Sequence, residues 1–259
     1  MNEVIRQLAA RRSVRAFEDR DIPGEVRAAI LEAAAQAPTA GNQQLYTILD
    51  VTDPQLKARL AETCDHQPFI AQAPMVLIFL ADVCKWLDAY REAGCEPRAP
   101  GAGDVMLAAS DAAIAAQNAV TAAWSLGVGS CYIGDVMERC EEHREMLNLP
   151  PHVFPAAMLV LGYPTEQQAR RPKPERFNMA DIVCENVYRR KDGPALREMF
   201  AGRCALRGYD AWMDAFCQRK YNSDFSREMT RSVEAYLRDY GLVLSLIHIS
   251  EPTRPRLIS

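Results

Sequence analysis

The sequence predicts one domain of mixed helix and strand, with helical extensions towards its C-terminal end. Three observations lead there. The chain has 259 residues, enough for one large domain or two small ones. Helical and strand patterns alternate along it without a repeat, and no hydrophobic-poor linker divides it. Its composition, 49% hydrophobic and 25% charged, is globular and excludes wholesale disorder.

Each element has its own warrant. Asn2 to Arg11 carries Val4, Ile5 and Leu8 at helical spacing. After RSVRAF, a second helix starts near Pro23, where proline suits a first turn, and carries Val26, Ile30 and Leu31. Pro38 to Asn42 reads as a loop, Tyr46 to Val51 as a strand, and Pro54 to Thr63 as a helix. Met75 to Ala81 is apolar throughout, as in a strand buried on both faces. A short helix follows, then the Gly/Pro-rich loop Gly94 to Gly103.

The long helix Asp104 to Leu126 has alanine on nearly every face, so other backbones approach it closely, within the chain or from a second copy. Gly127-Val128-Gly129 ends it. Ser130 to Gly134 reads as a short strand, Val136 to Leu147 as a helix, and Pro155 to Gly162 as the last core strand. Pro164 to Asn178 is a proline-rich basic loop; Pro194 to Arg219 and Asp224 to Tyr240 read as two amphipathic helices. The domain therefore spans residues 1–242.

Several chemistries are excluded or disfavoured. A net charge of −4 gives no general attraction to nucleic acid. No apolar run reaches the roughly 18 residues of a membrane span, and the opening MNEVIRQLAARR lacks an apolar signal core. These features predict a soluble cytoplasmic protein. The eight cysteines contain no CxxC and read as buried small hydrophobes in a reducing compartment. The four histidines show no metal spacing, so no bound metal is expected. Phosphate-loop, GxGxxG, GxSxG and HExxH signatures are all missing.

Five segments could carry chemistry. Arg11, Arg12, Ser13 and Arg15 group three guanidiniums and a hydroxyl, which suits a phosphate monoester. The alternative is that Arg11 and Arg12 complement a helix C-terminus. Thr39 lies in PTAGNQQ, a turn rich in hydrogen-bonding groups that could equally be a solvated turn, and Gln67 is a further candidate amide. Around Tyr132, Ile133 and Gly134, glycines would let the backbone approach a planar ligand, or would serve helix termination and close contact alone. Lys173 and Arg176 place two cations on a proline-stiffened loop, otherwise a solvated charge run.

Taken in order, RRSVRAF, APTAGNQQ, HQPFIAQAPMVLIF, AQNAVTAAWSLGVGSCYIG, LVLGYP, KPERF and VCENVY resemble the FMN-dependent nitroreductase family. Within it, the chain is most similar to the NADPH-dependent oxygen-insensitive nitroreductases and flavin reductases, from about Asn2 to Gly241. The resemblance implies a three-layer α+β fold with a central mixed or antiparallel sheet flanked by helices. It also implies an intertwined homodimer with two FMN sites at the subunit interface.

By that likeness Arg11, Arg12 and Ser13 meet the phosphate and ribityl chain, and Arg15 tunes the flavin from its pyrimidine edge. Thr39 lies by the flavin, Gln67 bonds its pyrimidine ring, and the backbone of Tyr132, Ile133 and Gly134 passes its reactive edge. Lys173 and Arg176 complete the anionic end, and Arg219 is the match for the NADPH-phosphate arginine. Arg12 replaces a common histidine, and KPER has one residue more than the commoner Lys-Pro-Arg.

The implied activity is hydride transfer from NAD(P)H through FMN to nitroaromatics, quinones or free flavin, by ping-pong exchange at one site and without a catalytic side chain. The alternatives are a dehalogenase-like or flavin-fragmenting enzyme on the same scaffold, and a flavin-binding protein that does not turn over. The final SLIHISEPTRPRLIS resembles translated sequencing-adapter read-through, so 243–259 is expected to be non-native; a β-prone C-terminal strand is the alternative.

Overall fold

The computed structural model describes residues 2–242. Both readings of the tail, adapter or strand, lie outside the described residues.

In chain order, α1 (Glu3–Ala10) and α2 (Gly24–Ala35) precede β1 (Tyr46–Asp50), α3 (Pro54–Thr63), α4 (Pro68–Gln72) and β2 (Met75–Asp82). Next come α5 (Cys84–Glu92), α6 (Ala102–Ser125), β3 (Gly129–Ile133), α7 (Cys140–Leu147) and β4 (Val153–Gly162). The helices α8 (Glu166–Arg170), α9 (Met179–Ile182), α10 (Gly193–Cys204), α11 (Tyr209–Lys220) and α12 (Asp224–Leu237) complete the described chain.

The four strands form one antiparallel sheet in the order β1-β2-β4-β3. Period-2 alternation with both faces covered explains why β2 is apolar from Met75 to Ala81. Met75, Leu77 and Phe79 face the helical layer of α2 and α6, while Val76, Ile78 and Leu80 face α3, α4, the turn at Val136 and the end of α7. That is the three-layer α+β arrangement implied by the resemblance. Pro155 can donate no ladder hydrogen bond and sits where the β2–β4 register shifts between Phe79 and Leu80.

Helix α6 buries one continuous stripe at helical spacing, Ala108, Ala112, Ala115, Ala119 and Ala123, against the sheet and α2. Its opposite side leaves Met106, Leu107 and Ile114 exposed, as are Val4, Ile5 and Leu8 on α1. The alanines on this second side therefore do not make the helix buried all round.

Three sequence readings need correction. The helix expected over Pro194–Arg219 is two helices, broken at Gly208 with φ 75°. The helix expected from Val136 begins at Cys140, because left-handed Arg139 (φ 50°) separates it from a 3-10 turn over Asp135–Met137. The loop expected over Pro164–Asn178 contains α8, whose start is capped by the Thr165 hydroxyl accepting from Gln168 N–H. Of the eight cysteines, Cys64, Cys131, Cys140 and Cys204 are buried as expected, but Cys95, Cys184 and Cys217 are exposed.

Candidate functional site

The RRSVR segment runs as extended chain along the β3 edge. Val14 N–H donates to Ser130 C=O at 2.9 Å, Ser13 bridges Ser130 in parallel sense, and Glu18 N–H donates to Tyr163 C=O at 2.8 Å. Two glycines make room for it. A Cβ on Gly129 would lie 2.5 Å from Val14 Cγ2, and one on Gly162 would lie 2.7 Å from the Phe17 ring. Val14 is thereby buried against the sheet, and the neighbouring polar side chains point away from the core.

Two cations on distant segments tie the site together. Lys173 Nζ donates to Ala9 C=O at 2.7 Å and Leu8 C=O at 3.3 Å, carbonyls at the C-terminal end of α1. Arg12 in turn donates to the carbonyls of Ala169 and Arg171 at the end of α8 and stands over the Trp124 ring. The helix-complementing role considered for the Arg11–Arg12 pair is thus filled by Arg12, whose Nε donates to Ala10 C=O at the end of its own helix at 3.3 Å while its terminal nitrogen caps α8.

Burial pushes the Lys173 ammonium below its ordinary value, and the positive charges of Arg176, Arg11 and Arg12 push it further. These four cations therefore share one locality. Among the described residues no carboxylate forms an ion pair with Arg11, Arg12, Arg15, Lys173 or Arg176. An uncompensated cluster of this kind is a site for a multiply charged anion.

Beside the cluster lies the edge of β3. Burial raises the Cys131 thiol, while Arg15, a hydrogen bond from Ser13 and the charge of Arg11 oppose that rise. Burial pushes the Tyr132 phenol up to about 12, with Arg11 opposing. Arg11, Ser13, Arg15, Cys131 and Tyr132 are thus neighbours. Arg15 is also fixed through its own N–H, which donates to Gln168 Oε1 at 3.2 Å.

Gln67 follows two left-handed residues, Asp65 (φ 59°) and His66 (φ 50°), and its amide donates to Cys64 C=O at 2.8 Å. The Cys64 thiol is pushed to about 12 by burial and the charge of Asp135, so this turn lies beside the chain leaving Gly134.

Thr39 is not brought to these residues. Ala40 N–H donates to Asp111 on α6, while Arg12 meets the same helix at Trp124, thirteen residues on. At 1.5 Å per residue, that separation is about 20 Å along the helix. Arg219 lies elsewhere again, on α11 over the Phe216 ring, in a cavity of about 420 Å³ shared with Arg203, Arg207 and Trp212.

Sequence reasoning missed Gln168, Trp124 and Asp111. The first two gain their roles only through contacts across more than a hundred residues. For Asp111 a signal was present: helical spacing aligns it with Ala108, Ala112 and Ala115 on the buried stripe.

The Nitroreductase family profile matches residues 8–163, a span that contains the RRSVR edge, the Thr39 loop, the Gln67 turn and β3. The chain belongs to the nitroreductase family. It is 32% identical over 239 residues to the FMN reductase [NAD(P)H] of Bacillus subtilis, covering 91% of each chain. Its identity to the oxygen-insensitive NADPH nitroreductase of Salmonella typhimurium is 32% over 221 residues, 83% of this chain and 89% of that one. Among solved structures, NfrA1 of B. megaterium superposes with a TM-score of 0.78 at 28% identity, covering 91% of this chain and 98% of that one.

Proposed function

We propose that the cation cluster at RRSVR and the adjoining β3 edge hold FMN and that the protein is a flavin-dependent NAD(P)H oxidoreductase. The observation that carries this reading is the set of cations from residues 11–15 and 173–176, none of them ion-paired to a carboxylate among the described residues, beside a small-residue strand edge. The donor set fits the cofactor: guanidiniums and a hydroxyl for a phosphate monoester, and exposed strand edge for a planar ring.

Bound there, FMN would supply the hydride chemistry between a nicotinamide and an acceptor. Arg11 and Ser13 bind the phosphate end, and Lys173 and Arg176 complete it. Arg12 adds charge while holding α8 in place. Arg15 would meet the pyrimidine edge, where its cation would favour negative charge on the ring. The backbone of Tyr132, Ile133 and Gly134 and the amide of Gln67 orient the ring. No protein nucleophile is needed.

The acceptors are nitroaromatics, quinones or free flavin, exchanged at one site in ping-pong fashion; the names of the FMN reductase and NADPH nitroreductase relatives support the flavin and nitro acceptors. The cavity bearing Arg203, Arg207 and Arg219 is suited to the extra phosphate of NADPH. The exposed apolar residues of α1 and α6 support a homodimer, in which Thr39 would serve the partner's flavin. Capture of an untagged chain by a tagged one checks that pairing. All eight cysteines are free thiols, three of them exposed, which suits the cytoplasm.

The test is Arg11→Ala. A charge-assisted phosphate contact is worth about 1.5–3 kcal/mol, so FMN affinity should fall by roughly one to two decades with little change in melting temperature. Full flavin occupancy after extended dialysis would remove the phosphate assignment.

A further inference from the structure

The loop from Thr39 to Gln44 is held in a conformation that the chain alone would not favour. Gly41, Asn42 and Gln44 all adopt left-handed backbone angles, with φ of 58°, 56° and 50°. For asparagine this is tolerated, but for glutamine it is strained and persists only where the surroundings enforce it. The enforcing group lies at the centre of α6. Asp111 is only 2% exposed, and its two carboxylate oxygens divide between the two ends of the loop. Oδ1 accepts from Ala40 N–H at 3.0 Å, and Oδ2 accepts from Leu45 N–H at 3.2 Å.

A carboxylate buried among alanines is costly to desolvate, and these two charge-assisted bonds are the side chain's hydrogen bonds among the described residues. Two further contacts hold the loop's interior. The Trp86 indole N–H donates to Gln43 C=O at 2.7 Å, and the Thr39 hydroxyl oxygen accepts from Gln44 N–H at 3.1 Å. The second contact engages the Thr39 oxygen as an acceptor and leaves its hydroxyl hydrogen available to donate outward.

We propose that Asp111 is a positioning residue of the flavin site, fixing the Thr39–Gln44 loop in the shape that completes the site of the partner subunit. The inference rests on the dimeric flavin-site reading above. Asp111 touches neither flavin nor substrate. It acts by setting where Thr39 and the loop amides stand, and it acts across the interface because α6 carries the loop about 20 Å from its own chain's Arg12.

The test uses Asp111→Asn in the full chain. Asparagine keeps the shape but turns one acceptor oxygen into a donor, so one end of the loop faces a donor with a donor. FMN affinity of the folded variant should fall at least tenfold, measured by flavin fluorescence well below its melting temperature. A mixed dimer of one Asp111→Asn chain and one Arg11→Ala chain, isolated with two tags, separates local from global damage. One of its sites carries both defects and the other carries neither, so it should retain about half the wild-type flavin.

If Asp111→Asn does not fold alone, Trp86→Phe loosens the same loop from its other side and should weaken FMN at least threefold. Wild-type affinity in the Asp111→Asn homodimer overturns the proposal, as does a mixed dimer without flavin. Should Asp111→Asn fail to fold, wild-type affinity in Trp86→Phe overturns it too. A wild-type protein that binds no FMN, or two tagged chains that never pair, instead overturns the function reading beneath it.

Discussion

Glu138 sits where the chain turns from β3 towards α7, 6% exposed, and faces the charges of Asp135, Glu228 and Asp65. Burial first, then those three carboxylates, raise its carboxyl from an ordinary 4.5 to about 7, against the pull of Arg139. The folded protein therefore holds a proton here that the unfolded chain releases above pH 4.5. Its contribution to stability is full below that value and is lost as pH rises to about 7. Glu138→Gln should abolish this loss and be more stable than the parent by about 2 kcal/mol at pH 8, with little difference at pH 4.5. Melting curves across that range check it; parallel curves for the two proteins would rule the titration out.

Residue types were legible in the sequence where chemistry demands a rare combination. Three arginines and a serine within RRSVR suit an anion, although the residues alone left open that Arg11 and Arg12 complement a helix C-terminus. That Arg12 grips α8 and Lys173 grips α1 was not legible, because those carbonyl partners lie more than 150 residues away. Asp111 was hidden differently: its position on the buried stripe follows from periodicity, but the backbone N–H groups it serves exist only once the loop is folded.

At the scale of elements, the cleft depends on how closely the RRSVR strand lies on β3. Gly129 has no strained backbone angle; its absent Cβ is what matters, since Val14 fills that space. Gly129→Ala should cost about 1–3 kcal/mol through overpacking and displace Arg11, Ser13 and Arg15 enough to weaken flavin retention. Adding Val14→Ala should restore much of both losses, read by thermal melting and flavin content. A single variant with wild-type behaviour would show that the strand has slack.

Elements with strong local signals were read correctly: the apolar β2, the proline-started α3 and the long α6. The α10–α11 break was not seen, because Gly208 lies within an amphipathic run that reads as continuous. Helix α8 was missed because its five residues stand in a proline-rich basic stretch, whose composition argues for loop. Exposure of the apolar α1 face contradicts what periodicity alone suggests, since an amphipathic pattern says which side is buried but not in which chain.

For the whole molecule, the family and the three-layer fold were readable from the ordered motifs, and the fold explains why they are scattered. The start of β3, the RRSVR edge and the 173–176 loop gather near the C-terminal end of α6, the Gln67 turn lies by the chain leaving β3, and the Thr39 loop is held at the middle of α6. In the proposed dimer a second copy would supply the missing loop. The central claim is that this assembled cleft carries electrons from a nicotinamide to a separate acceptor. Anaerobic titration of the purified protein with NADPH, followed by absorbance near 450 nm, tests it most directly. A yellow protein that bleaches with one NADPH per flavin and recovers its colour on adding menadione is the predicted result. A protein that holds flavin yet neither bleaches with NADPH or NADH nor passes electrons to the quinone would contradict it.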